Sequence, residues 1–151
     1  MFGPAFLVTP VTEKMYFKKN YIGKTIPASN IFDAEGIRGR LTTEFFNGIN
    51  FDTLAATGSR EDLDIDWNDG TSRPDEVSQY YYSIRLTGEL LAEESGRYTI
   101  VTTSNDGVRV WIEDELVIDN WTGHGVTTDM NDIILEAGKR YKLKMEYFQL
   151  L

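Results

Sequence analysis

Apolar residues recur along most of this chain with a period of two. The run YYYSIRLTGEL sets Tyr80, Tyr82, Ile84 and Leu86 on one face against Tyr81, Ser83, Arg85 and Thr87 on the other, the signature of a half-buried strand. A Glu93-Glu94-Ser95-Gly96 turn follows, then RYTIVTTS as a second strand, then the tight turn SNDG. In VRVWI the pattern predicts Val108, Val110 and Ile112 inward and Arg109 and Trp111 outward, with Asp114-Glu115 reversing the chain into LVID. NDIILEAG and KRYKLKMEYF predict two further strands, the last with Tyr141, Leu143, Met145 and Tyr147 on one side, and RLTTEFFN predicts a strand upstream. Nothing reads as a helix longer than a turn or two. About seven short strands punctuated by turn residues predict an all-β domain, a β-sandwich or jelly-roll-like barrel.

Two segments break the pattern. Residues 1–36 carry Pro4, Pro10, Pro27, Gly3, Gly23 and Gly36, and read as an arm leading into a domain at 37–151. Residues 57–76 read as a long polar loop around one short IDW segment.

Composition narrows the function classes. The 151 residues suit one domain, and 41% hydrophobic with 26% charged residues is a globular balance. A formal net charge of -9 without a Lys/Arg cluster argues against nucleic acid and anionic lipid as partners. The absence of cysteine removes disulfides, thiolate catalysis and Cys-ligated metals. The first residues lack the basic region and apolar length of a signal or membrane segment, so the start reads as cut rather than processed.

Candidate chemistry gathers in SNDGVRVWIEDELVIDNW and just after it. Asn105 and Asp106 lie on one turn, and Asp119, Asn120, Trp121 and His124 lie at the next loop, which a meander brings to the same or a neighbouring end. Planar amides and carboxylates meet sugar hydroxyls, and an indole face meets sugar C–H groups. Plainer readings stand beside this one: Asn105-Asp106-Gly107 as a turn, Trp121 as a core aromatic, Asp119 as a turn cap and His124 as a surface residue. Asp62, Asp64, Asp66 and Asp69 lack the glycine and distal Glu of an EF-hand, and read as a solvated loop around Trp67. No carboxylate pair, phosphate loop, Ser-His-Asp set or zinc cluster is nominated.

LTGELLAEESGRYTIVTTSNDGVRVWIEDELVIDNW, taken as an ordered string of strands and turns, resembles the PA-fourteen domain of anthrax protective antigen type, over roughly residues 38 to 148. The resemblance implies a jelly-roll β-sandwich that commonly binds carbohydrate and is often carried by glycoside hydrolases and adhesins. In the adhesin branch an Asp-Asp pair at the position of Asn105-Asp106 holds calcium. Asn105 removes one charge from such a site, so no cofactor or metal is expected.

MFGPAFLVTPVTEKMYF is similar to a segment of glycoside hydrolase family 31, the α-glucosidases and α-xylosidases, that closes the catalytic barrel. The chain thus reads as a piece of such an enzyme, from a bacterial, periplasmic or secreted parent. The W-x-D-M-N motif of that family's barrel is absent, so the piece itself is expected to be non-catalytic. The family runs on beyond MEYFQLL into a further strand, and without it an open edge would favour dimers. The expected partners are an oligosaccharide, held by Asn105, Asp106, Asn120, Trp121 and His124, and the parent's catalytic barrel. Two competing functions are a structural interdomain spacer and a calcium-dependent lectin.

Overall fold

A computed structural model describes residues 26–61 and 73–151 in full, together with the backbone course of two strands at 5–10 and 64–65. The strands are β1 (Ala5–Pro10), β2 (Ile31–Phe32), β3 (Leu41–Asn47), β4 (Thr53–Arg60), β5 (Asp64–Ile65), β6 (Tyr82–Leu91), β7 (Gly96–Ser104), β8 (Val108–Ile112), β9 (Glu115–Asn120), β10 (Thr127–Leu135) and β11 (Arg140–Gln149). Among the described residues the only helical element is a 3-10 turn at Ala28–Asn30.

The strands form two sheets. The larger runs β4-β3-β6-β11-β8-β9, with β2 also paired to β6, and the smaller runs β10-β7-β1-β5. All pairings in the larger sheet are antiparallel, whereas β1 lies parallel to both β7 and β5.

The period-two pattern sorts side chains between the faces as expected. Ile84 and Leu86 of β6, Leu143, Met145 and Tyr147 of β11, and Val108, Val110 and Ile112 of β8 meet Tyr98 and Ile100 of β7 and Leu135 of β10 in one core. Each such side chain contributes roughly 1.5–3 kcal/mol by leaving water. The outer face of the larger sheet carries a cross-strand row of alternating charge, Glu44, Arg85, Glu146, Arg109 and Asp119, set by the register of β3, β6, β11, β8 and β9.

Several local expectations are corrected. Tyr80 is outside the strand and exposed, because Tyr81 adopts a positive φ of 55° and β6 begins only at Tyr82. The reversal before β9 is at Glu113 and Asp114, with Glu113 at φ 53°, so Glu115 already belongs to the strand. Residues 57–60 are strand rather than loop, since β4 runs to Arg60. The segment read as an arm places β1 in the smaller sheet and β2 in the larger, where Ile31 and Phe32 are buried. Asp62, Asp66, Trp67 and Asp69 lie outside the described residues, and of Asp64 only the backbone is described.

Candidate functional site

The end of β7, the start of β8, the end of β9 and the end of β11 all reach one rim of the sandwich, and the turn between β3 and β4 joins them there. The two loops singled out from sequence therefore meet. The Asp106 N–H donates to the His124 carbonyl oxygen at 2.8 Å, and the His124 N–H donates to Asp106 Oδ1 at 3.2 Å.

Asp106 is the clamp of this rim. Its Oδ2 accepts from Gln149 Nε2 at 3.1 Å and from the Leu150 N–H at 3.0 Å, so one carboxylate ties the β7–β8 turn, the loop at 121–126 and the segment after β11. Ser104 Oγ donates to the Asp106 carbonyl at 2.9 Å and braces the turn from inside. The residue sits at φ 69°, a left-handed conformation that Asp tolerates better than most side chains do. Gly107 follows because a Cβ there would lie 2.1 Å from Phe148 Cε1, the ring that covers the turn.

This corrects the expectation that Asp106 offers its carboxylate to a ligand: the side chain is buried and its oxygens already accept three donors. A cation would face those donor hydrogens. No cluster of three or more His, Asp or Glu able to hold a metal exists among the described residues.

The other four predicted residues have distinct environments. The half-buried Asn105 makes no side-chain hydrogen bond among the described residues. Asn120 donates through Nδ2 to Asp129 Oδ2 at 2.9 Å and accepts from Thr122 Oγ1 at 2.9 Å, so its amide stitches β9 to β10. His124 Nδ1 lies 2.7 Å from the Gly125 carbonyl, which makes that nitrogen the protonated one, while Nε2 is shielded from solvent and has no partner among the described residues. Trp121 is half-buried on the outer face of the larger sheet. It meets Phe148 edge-on at 4.7 Å and lies nearly parallel to Phe51 at 5.9 Å, and the Arg109 guanidinium sits 3.9 Å from its ring centre.

Phe51 and Trp121 thereby roof half of the outer face. Beneath them Glu146, nearly unexposed, accepts from Arg85 Nε at 3.0 Å and from Arg109 Nη2 at 2.7 Å, and Arg85 also faces the Phe51 ring at 4.5 Å. The core reading of Trp121 is thus replaced by a covering role on the outside of the sheet.

Sequence reasoning did not nominate Phe51, Tyr80 and Tyr81 as site residues. Phe51 at φ 60° and Tyr81 at φ 55° are bulky residues in a strained backbone region. They are held there by hydrogen bonds: Gly48 N–H to the Tyr81 carbonyl at 2.7 Å, Phe51 N–H to Ser83 Oγ at 3.1 Å, and Ser83 Oγ to the Gly48 carbonyl at 2.7 Å. Tyr80 and Tyr81 are about half exposed, at 48% and 54%. The clue available in sequence was Asn47-Gly48, a turn signal that brings Phe51 back over the sheet.

The model of the PA14 domain matches residues 38–151. The chain is 38% identical over 115 residues to the anti-sigma-I factor RsgI3 of Acetivibrio thermocellus, a match covering 76% of this chain and 17% of that protein. Its fold is similar to a solved anti-sigma factor domain-containing protein, with TM-score 0.69 and 36% identity over 74% of this chain and 38% of the other. It is also similar to the family 31 α-xylosidase of Xanthomonas citri, with TM-score 0.65 and 19% identity over 80% of this chain and 13% of the other, a likeness of fold alone. The chain thus spans well under half of each of these proteins.

Proposed function

The chain belongs to the PA14 domain family, and from that premise we propose that it is a non-catalytic carbohydrate-binding module of a larger protein, holding a glycan at the rim just described. The observation that carries this reading is where the strain lies. Of the four non-glycine residues at positive φ among those described, Phe51, Tyr81 and Asp106 are at this rim, and two of the three are aromatic. Such conformations cost about 1–3 kcal/mol each and concentrate at ligand clamps.

In this reading the exposed rings of Tyr80 and Tyr81 and the outer edges of Phe51 and Trp121 take the C–H face of a sugar. The amide of Asn105 supplies a donor and an acceptor for its hydroxyls. Asp106 and Asn120 act as positioning residues, since their polar atoms are already engaged. His124 borders the site through its backbone bond to Asp106. Neutral glycans fit a chain of net charge -9 better than acidic ones.

Two parents are compatible with this module. The opening MFGPAFLVTPVTEKMYF favours a family 31 glycoside hydrolase, where the module would extend the barrel's grip on an oligosaccharide. The 38% identity to an anti-sigma factor favours a regulatory protein in which glycan binding is the input.

The test is affinity electrophoresis of the 151-residue chain in xyloglucan, barley β-glucan, arabinoxylan and pectin, followed by calorimetry, each with and without EDTA. Retardation by a neutral polysaccharide, insensitive to EDTA and reduced in Tyr81→Ala and Asn105→Ala, is expected. Unretarded migration in all four would leave the spacer reading in its place, and binding abolished by EDTA would favour the calcium-dependent lectin.

A further inference from the structure

The outer face of the larger sheet does not end at the Phe51–Trp121 roof. Beyond it lies an open groove of about 620 Å³, walled on one side by the turn at 33–36 and on the other by Glu113 and Lys142, with Thr87, Gly88 and Lys144 on its floor. It lies toward the far end of the sheet, since β11 runs from Lys142 in the groove to Phe148 beneath the rim. Six residue steps of strand separate these two points, a span of roughly 20 Å.

We propose that this groove is a second subsite for the same glycan chain, taking a neutral sugar unit several rings away from the one held at the rim. The inference rests on the carbohydrate-binding reading and extends it from one sugar ring at the rim to a chain lying along the sheet. Three observations carry it.

First, the groove offers unspent hydrogen-bonding capacity. The Thr87 hydroxyl makes no hydrogen bond among the described residues, and the Lys142 ammonium makes no ion pair there. Second, its charges balance. Asp33 is bonded to Arg40 at 2.6 Å, Glu89 faces Arg140 at 3.4 Å, and one Glu113 oxygen accepts the Lys142 N–H at 3.0 Å. With Glu35 3.8 Å from Arg40, the four carboxylates of Asp33, Glu35, Glu89 and Glu113 stand against Lys142, Lys144, Arg40 and Arg140, so the groove carries no net charge and suits a neutral ligand rich in hydroxyls.

Third, the groove is continuous with the rim. Arg109 faces both Trp121 at 3.9 Å and Trp111 at 5.2 Å, and Lys144 faces Trp111 at 3.9 Å, so aromatic and cationic side chains run without a break from the roof to the groove floor. A peptide partner is disfavoured because β6, β11 and β8 are paired on both sides or face outward only through side chains here, leaving no backbone edge for strand addition.

The experiment compares Kd for xyloglucan and for its shortest oligosaccharide in the full chain and three variants. Thr87→Arg fills the groove, Lys142→Ala removes an exposed donor with little risk to folding, and Tyr81→Ala addresses the rim. The inference expects Thr87→Arg and Lys142→Ala to weaken polymer binding by about tenfold, the loss of one or two hydrogen bonds, while the oligosaccharide is bound as before. Polymer binding unchanged in both groove variants but lost in Tyr81→Ala overturns the second subsite and leaves the rim reading standing. Loss in the groove variants with none in Tyr81→Ala keeps the groove and overturns the rim. No binding by the unaltered chain overturns both.

Discussion

Replacing Asp106 separates a structural clamp from a ligand group. In Asp106→Ala the backbone N–H groups of His124 and Leu150 and the Gln149 amide lose their acceptor together. A buried donor left unpaired costs about 1–3 kcal/mol. Because His124 and Leu150 are only half-buried, water recovers part of that, and the buried Gln149 Nε2 keeps the Leu151 carbonyl as a second acceptor, so the low end applies to each of the three. Alanine at φ 69° adds about 1 kcal/mol of backbone strain, for a total near 4 kcal/mol. Asp106→Gly removes the strain but not the lost bonds, so it is expected to be about 1 kcal/mol less damaging than alanine. Asp106→Asn keeps one acceptor for the Gln149 and Leu150 donors and turns an amide N–H toward the His124 N–H, for a loss of about 1–2 kcal/mol.

Urea denaturation in EDTA measures all three, and for a chain of this size 4 kcal/mol lowers Tm by about 8–16 °C. The order Ala, Gly, Asn, from most to least damaging, is expected without calcium. Losses below about 0.5 kcal/mol in Ala and Gly, or losses seen only when calcium is added, would refute the clamp and return Asp106 to the role of an ion ligand.

Three further outcomes follow from the packing. Gly88→Ala places a Cβ 2.1 Å from the Phe32 carbonyl oxygen, a backbone atom that cannot rotate aside, so the β2 contact must shift; a loss of about 2–3 kcal/mol is expected by urea denaturation, with little change at the rim. Asp33 has its carboxyl held below the usual value: burial opposes ionisation, but the Ile37 N–H, Arg40 and the Glu35 N–H outweigh it. A depressed folded pKa stabilises above the unfolded value near 3.8 and is lost as pH falls through the folded one, so Asp33→Asn should be less stable at neutral pH and show a flatter acid limb below about pH 4. The hydroxyls of Tyr82, Tyr98 and Tyr147 are raised above 10.0, first by burial. A raised folded pKa gives stability that is present below pH 10 and lost above it, so ultraviolet titration should show Tyr82 and Tyr147, of the eight tyrosines, ionising only as the fold opens and Tyr98 ionising above the ordinary phenol range.

The core was legible because alternation carries its own register. Val108, Val110 and Ile112, and Tyr141, Leu143, Met145 and Tyr147, face inward as their period requires. β4 was not legible: Thr53 to Arg60 is an edge strand of mostly small and polar residues, exposed on much of both faces, with no alternation to read. The parallel insertion of β1 between β7 and β5 was hidden as well, because Pro4 and Pro10 mark the ends of the segment while nothing local names its partners. At the site, the proximity of Asn105-Asp106 to His124 follows from meander geometry, and the structure brings those loops into direct contact. The identity of the donors on Asp106 could not be read, since Gln149 and Leu150 lie more than forty positions away. The roofing role of Trp121 was equally hidden, because it depends on Phe51 returning across β3 and on two arginines brought level by the register of β6 and β8.

The buried Glu146 shows why the roof is fixed while the groove is open. A carboxylate from which water is excluded has its desolvation repaid only where close opposite charges satisfy its oxygens. Phe51 and Trp121 exclude the water, and Arg85 and Arg109 satisfy the oxygens, so ring packing and ion pairing depend on each other. One row further along, Lys144 and Trp111 meet without a buried acid between them, and nothing requires a cover. The same sheet therefore carries a rigid half, where the strained turns at Phe51 and Tyr81 are held against it, and an accessible half, whose side chains are free to meet a ligand. Substitutions under the roof should register in stability, and substitutions of the groove side chains Thr87 and Lys142 in binding alone.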